Sequence, residues 1–234
     1  MANVPALALG NGRTYPNWNV RTVLNCHVLL DGPEDAALTV ALARGAGAPM
    51  DSSFMAAFAS GLMAKGLRVC RFEFPYMEAR RRTGARRPPD RAPVLLDCWR
   101  DVISELGAAR LVIGGKSLGG RIASMVADET DVRGLVCLGY PFHPPGKPVG
   151  GRIDHLRAIA VPTLILQGER DTFGGTGDVA GYDLAPTVRV HWIADGDHGF
   201  KPRAASGRTE ADNWAEGIDV VVSFLGKIAG GLDG

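Results

Sequence analysis

The residues of this chain whose spacing suits chemistry are Gly115-Lys116-Ser117-Leu118-Gly119, a G-x-S-x-G string. It lies between an apolar, β-branched run, RLVIGG (110–115), and a helical pattern, RIASMVADE (121–129). That is where a sharp strand-to-helix turn presents a serine hydroxyl at the rim of a sheet, and the flanking glycines answer backbone approaches too close for a Cβ. The alternative is a glycine-rich turn without chemistry. GGKS also matches the end of a phosphate-binding loop, but the glycine required five residues before Gly115 is Arg110, so that reading is rejected.

A serine hydroxyl attacks well only when a base takes its proton, and the base is best a histidine oriented by a carboxylate. Two later segments supply these in the order serine, acid, histidine. TLILQG (163–168) runs into Glu169-Arg170-Asp171, where Asp171 is the expected acid and Glu169 the alternative. VRVHWIA (188–194) runs into Asp195-Gly196-Asp197-His198-Gly199, which places His198 as base in a loop of small residues. His143 is the weaker alternative, and His191 falls within a strand, where packing is its expected role. An oxyanion needs two backbone N–H donors. Leu118, after the nucleophile, is one; Ala46, in the loop Gly45-Ala46-Gly47-Ala48-Pro49 after the strand LTVALAR (38–44), is the expected other. A glycine-rich turn that merely starts the next helix is the competing reading of that loop.

The elements that must hold these residues alternate along the chain. Further strands are LRVCRFEF (67–74) and GLVCLGY (134–140); further helices are FMAAFASGLMAKG (54–66), PVLLDCWRDVISEL (93–106) and EADNWAEGIDVVVSFLGKI (210–228). Strand–helix alternation implies right-handed crossovers, hence a single α/β domain with a mostly parallel, doubly wound sheet and helices on both faces. Ser117, Asp171, His198 and Ala46 each follow the carboxyl end of a separate strand, the edge where such sheets bind ligands. Residues 1–37 form an N-terminal segment in which TVLNCHVLL (22–30) reads as an antiparallel edge strand, and 38–230 form the domain proper.

Composition narrows the partners. The 234 residues are 46% apolar and 22% charged, with a net charge of +1, so no whole-molecule field calls for nucleic acid or a membrane surface. The start, MANVPALALGNGRTY, has no basic residue before its short apolar run, so no signal peptide is expected, and no run reaches membrane-spanning length. Cys26, Cys70, Cys98 and Cys137 form no C-x-x-C pair and read as buried thiols, which favours the cytoplasm. The five histidines lack ligand spacing, so neither a metal nor a cofactor is expected.

The strings GAGAPMDS, RFEFPYMEARRRTGARRPPDRAP, GGKSLGGRIASMVAD, LGYPFHPPGKP, LILQGERDTFG and DGDHGFKPR resemble the α/β-hydrolase superfamily. They are more similar to its dienelactone-hydrolase-like branch, and within that to the KANL/Tex-type α/β-hydrolase-like group. The resemblance covers most of residues 38–225. It implies the α/β-hydrolase fold and a catalytic triad at Ser117, Asp171 and His198. Two departures qualify it. Dienelactone hydrolases proper use a cysteine nucleophile, so their substrate does not carry over, and the usual His-Gly of the oxyanion loop is Arg44-Gly45. Members of the group also serve as scaffolding subunits, which keeps a catalytically silent scaffold as the alternative to a serine esterase.

Three features bear on specificity. Residues 78–91 hold six arginines against Glu78 and Asp90, a local charge of +4 in a loop expected on the site's edge. It reads either as a solvated loop or as a binder of anionic substrates. The rigid stretch GYPFHPPGKPVGG (139–151) leaves too little chain for a large lid, so an open site for a small acyl substrate is expected, in a monomer or homodimer. Met50, Tyr140 and Phe142 either line that site or pack.

Overall fold

The computed structural model describes residues 19–23, 26–147 and 152–230. Its strands are β1 (Asn19–Val23), β2 (Cys26–Asp31), β3 (Thr39–Ala43), β4 (Arg68–Phe72), β5 (Leu111–Lys116), β6 (Gly134–Leu138), β7 (Thr163–Gly168) and β8 (Val188–Ile193). They form one eight-stranded sheet in the order β1-β2-β4-β3-β5-β6-β7-β8. β3 to β8 run parallel, and β1 and β2 join antiparallel at one edge. This is the mostly parallel, doubly wound sheet that the alternation of elements implies.

Helices α1 (Ser53–Met63), α2 (Pro75–Thr83), α3 (Ala92–Leu106), α4 (Leu118–Val126), α5 (Thr176–Val179) and α6 (Glu210–Gly230) occupy the connections and the end of the described chain. Because successive strand side chains face opposite ways, each buried strand feeds two cores. Ala41, Ala43, Ile113, Leu135, Cys137 and Ile165 pack with Trp99 and Val102 of α3 and Ile122 and Ala123 of α4. Val40, Leu42, Val112, Val136, Leu138, Leu164 and Leu166 pack with Phe54, Met55 and Phe58 of α1 and Val221 and Leu225 of α6. Sequences buried on both faces read as continuous apolar runs, which is what TLIL and GLVCL are.

Two expectations change. The run 22–30 is not one edge strand: it divides between β1 and β2, which pair with Val23 opposite Cys26. Val28, Leu29 and Leu30 are at most 8% exposed, the profile of an internal strand, and β1 supplies the outer neighbour. The arginine-rich segment is also not all loop, since α2 takes in its first half. Pro75 pre-sets the first turn, Arg80, Arg81 and Arg82 suit the negative end of the helix dipole, and Gly84, at φ 71°, closes it in the left-handed region.

Between β6 and β7 the described residues form one short helical turn, Asp154–Arg157, rather than a lid domain. Pro148 to Gly151 of the 139–151 stretch and the first eighteen residues lie outside the described residues. No described helix is long and apolar enough to cross a membrane.

Candidate active site

β5 ends at Lys116, and α4 begins at Leu118, so Ser117 must turn the chain in one residue. It does so at φ 54° and ψ −119°, a region that costs a non-glycine residue about 1–3 kcal/mol and that surrounding structure must enforce. Gly115 and Gly119 permit the enforcement. A Cβ on either would stand 2.1 Å from the carbonyl oxygen of Ala43 in the neighbouring β3. Cys137, buried on β6, lies against the same elbow, its thiol donating weakly to the carbonyl of Gly120 at 3.6 Å.

The strained turn puts Ser117 Oγ 2.9 Å from His198 Nε2, and His198 Nδ1 is 2.7 Å from Asp171 Oδ2. With the ring proton on Nδ1, the imidazole donates to the carboxylate and its Nε2 accepts from the hydroxyl. Three residues far apart in sequence thus form one hydrogen-bonded chain at the carboxyl edge of the sheet. Burial lowers the proton affinity of His198, the hydrogen bond to Asp171 raises it, and the charge of Lys116 lowers it further.

The alternatives have other partners. Glu169 accepts from the backbone N–H of Asp195 at 2.8 Å and thereby ties the two loops together. His143 Nε2 lies 3.4 Å from Asp178, and His191 Nε2 lies 2.9 Å from Glu216 of α6. A second serine–histidine contact, Ser124 Oγ to His155 Nε2 at 2.8 Å, ties α4 to the turn at 154–157. Ser124 donates to the carbonyl of Arg121 on its own helix, and no carboxylate bonds His155 among the described residues, so this pair lacks the third member.

Two residues that sequence reasoning passed over shape the site. Gln167, fully buried near the end of β7, donates through Nε2 to Asp171 Oδ2 at 2.9 Å and to the carbonyl of Gly174 at 3.0 Å. Its Oε1 accepts from the Tyr140 N–H at 2.7 Å. With the Phe173 N–H donating to Asp171 Oδ1 at 2.9 Å, both carboxylate oxygens are held. A lone amide inside the apolar string TLILQG is the signal that could have marked it. The ring of Phe173 packs on His198, with centroids 4.5 Å apart.

Lys116 is the other. Its side chain is buried, with Nζ 5.7 Å from the ring centroid of Phe54 and 6.0 Å from that of Phe200, and no hydrogen-bond partner among the described residues. A Cβ at Gly139 would stand 2.7 Å from Lys116 Nζ and 3.3 Å from His198 Nδ1, so amine and imidazole meet over that glycine. Burial, then the charge of Arg44, pushes the amine down to about 7, against the pull of Asp171 and Asp197.

Leu118 is the first residue of α4, so its N–H has no partner within the helix. A Cβ at Gly45 would stand 3.1 Å from that nitrogen and 3.1 Å from Ser117 Cβ, which brings the loop carrying Ala46 against the elbow. Ala46 itself is exposed. Tyr140 and Phe142, one of whose expected roles was to line the site, have no exposed surface. Their rings pack against each other at a tilt of 54°, and the Tyr140 hydroxyl donates to the carbonyl of Arg152. Met50 is buried as well, its N–H bonded to Glu73. Packing wins at Tyr140 and Phe142 because they come within four residues of the end of β6, and at Met50 because its N–H is tied to the buried carboxylate of Glu73.

Residues 36–226 match the alpha/beta hydrolase domain family. The fold is similar to that of an alpha-beta serine hydrolase homologue from Coxiella burnetii, with a TM-score of 0.67 and 16% identity over 90% of this chain and 98% of that one. It is also similar to Est1E from Butyrivibrio proteoclasticus, with a TM-score of 0.65 and 12% identity over 86% and 95% of the two chains. A serine hydrolase without a lid from Xanthomonas campestris matches with a TM-score of 0.59 and 20% identity over 81% and 84%.

Proposed function

The chain belongs to the alpha/beta hydrolase family, and from that premise we propose that it is a serine hydrolase acting on small acyl esters, with thioesters and lactones in the same chemical class. The observation that carries this reading is the unbroken chain Ser117 Oγ, His198, Asp171, with links of 2.9 and 2.7 Å.

Ser117 Oγ attacks the acyl carbonyl while His198 Nε2 takes its proton. Asp171 keeps the Nδ1 proton in place and stabilises the imidazolium as it forms. The N–H groups of Leu118 and Ala46 receive the oxyanion. The tetrahedral intermediate collapses with departure of the alcohol, which takes the proton from His198 and leaves Ser117 acylated. Water then repeats the sequence, giving its proton to His198 and its oxygen to the acyl group, and frees the serine. The motif strings support a place in the dienelactone-hydrolase-like branch and its KANL/Tex-type group, and the buried cysteines support the cytoplasm.

The test is labelling with a fluorophosphonate, which phosphonylates an activated serine. The wild type should label and turn over short-chain p-nitrophenyl esters. Ser117→Ala should not label, and its turnover should fall by about 10⁴-fold or more. A folded wild type that neither labels nor turns over any ester would replace this reading with the silent scaffold.

A further inference from the structure

Two amide side chains are fully buried among the described residues, Gln167 near the end of β7 and Asn213 of α6. Asn213 is spent on structure. Its Nδ2 donates to the carbonyls of Ala194 and Phe200, and its Oδ1 accepts from Arg208 at 2.6 Å. Gln167 differs, because one of its partners is the acid of the triad.

The amide of Gln167 has a single workable orientation. Its Oε1 accepts from the Tyr140 N–H at 2.7 Å. Its Nε2 donates to Asp171 Oδ2 at 2.9 Å and to the Gly174 carbonyl at 3.0 Å, with the Tyr140 carbonyl at 3.2 Å. Exchanging O and N would set an oxygen against three oxygens and an NH2 against an N–H. The Gly139 N–H, bonded to the Leu166 carbonyl at 2.8 Å, keeps the two segments aligned. The donor toward Asp171 is therefore dictated by its surroundings.

Asp171 is 2% exposed, so water does not supply that donor in its place. Its Oδ1 accepts from the Phe173 N–H, and its Oδ2 accepts from both Gln167 and His198 Nδ1. One held oxygen leaves a carboxylate free to rock about it, and the bond from Gln167 removes that freedom. The aim matters for the base. An imidazole accepts through Nε2 only while its proton sits on Nδ1, and an acceptor directed at Nδ1 selects that tautomer.

We propose that Gln167 is a positioning residue of the hydrolytic reaction. It aims Asp171 Oδ2 at His198 Nδ1 and so holds the imidazole in the tautomer that leaves Nε2 free to take the proton of Ser117. The inference rests on the acyl-transfer reading of Ser117. Acylation and deacylation use the same imidazole, so loss of the aim slows both steps and shows in kcat rather than in KM.

Two variants test it. Gln167→Met removes the donor. Gln167→Glu keeps the shape and the acceptor for Tyr140, but donates to Asp171 only while its carboxyl is protonated. Gln167→Met should lower kcat for p-nitrophenyl butyrate by about 10²-fold and leave KM within about twofold. Burial and the neighbouring carboxylate both favour the protonated form of a glutamate at this position. Gln167→Glu should therefore match the wild type near about pH 6 and fall away from it toward about pH 9. A merely structural role predicts the same loss at every pH, and that result, or no loss in either variant, would overturn the proposal. NMR of the ring nitrogens reads the tautomer without turnover. Neutral His198 should carry its proton on Nδ1 in the wild type and divide it between Nδ1 and Nε2 in Gln167→Met; an unchanged tautomer in the folded variant is equally fatal. Should Gln167→Met not fold, the same two readings across pH in Gln167→Glu decide. If the wild type neither labels with fluorophosphonate nor turns over an ester, the acyl-transfer reading falls, and the tautomer comparison alone judges Gln167.

Discussion

A buried ammonium group beside an imidazole changes the pH at which that imidazole can accept a proton. Lys116, with Nζ over the rings of Phe54 and Phe200, has its proton affinity pushed down to about 7 by burial. Its charge lowers the proton affinity of His198. Lys116→Met should therefore move the acid limb of kcat/KM to higher pH, because one repulsion against the imidazolium is gone; an unmoved limb would deny the link. The same variant tests stability. The unfolded lysine, near 10.5, holds its proton between about 7 and 10.5 while the folded one releases it, so the wild type gains stability as pH rises through that window. Below about 7 the cost of the buried charge is at its full value, up to about 5 kcal/mol. Urea unfolding should show Lys116→Met most stabilising there, with the advantage shrinking toward pH 10. Ser117, Asp171 and His198 are legible in the sequence because each follows a strand-like run, in the order in which successive strands of such a sheet deliver them. Lys116 and Gln167 were not: a G-x-S-x-G string leaves its second position open, and nothing local tells whether the amide of a strand points at a carboxylate.

At the level of elements, the site depends on how closely α4 and β3 approach each other. A Cβ on Gly119 would meet backbone, the Ala43 carbonyl, which cannot rotate away as a side chain can. Gly119→Ala should push α4 off the sheet, lower stability by about 1–3 kcal/mol, and cut fluorophosphonate labelling more than tenfold by displacing Ser117. Circular dichroism melts and labelling rates together would check it, and a variant that labels normally would show the elbow to be more tolerant than its contacts imply. β3, β5, β6 and β7 are readable because burial on both faces turns them into nearly unbroken runs without charged residues before their ends, whereas β8, at the edge of the sheet, reads as an alternation of apolar and polar residues. α2 was read as loop because its arginines hide the two apolar positions that bury it, Tyr76 and Met77. The run 22–30 reads as one strand because the end of β1 and the start of β2 are so close in sequence that their apolar patterns run together.

Across the whole molecule, the core on the α1 and α6 face also supports the loop that carries the imidazole. Phe58 of α1, fully buried, packs on Phe54 and on Phe200, with ring centroids 4.8 and 6.3 Å apart, and Phe200 stands two residues after His198. Phe58→Ala should cost about 3–5 kcal/mol in chemical denaturation. Ester turnover should fall at temperatures where the far-UV signal is still native; parallel loss of both would show that the loop does not depend on this contact.

Among the described strands, β8, which delivers His198, is the last at its edge and pairs in the sheet with β7 alone. Peripheral strands open more readily than central ones, so reactivity and fraying share a coordinate. When the margin loosens, the nucleophile loses its base while the interior of the sheet is still intact. A protein caught mid-assembly, or beginning to come apart, is thus chemically quiet before it is unfolded. Its reactivity reports completion of the sheet more strictly than any measure of helix content can.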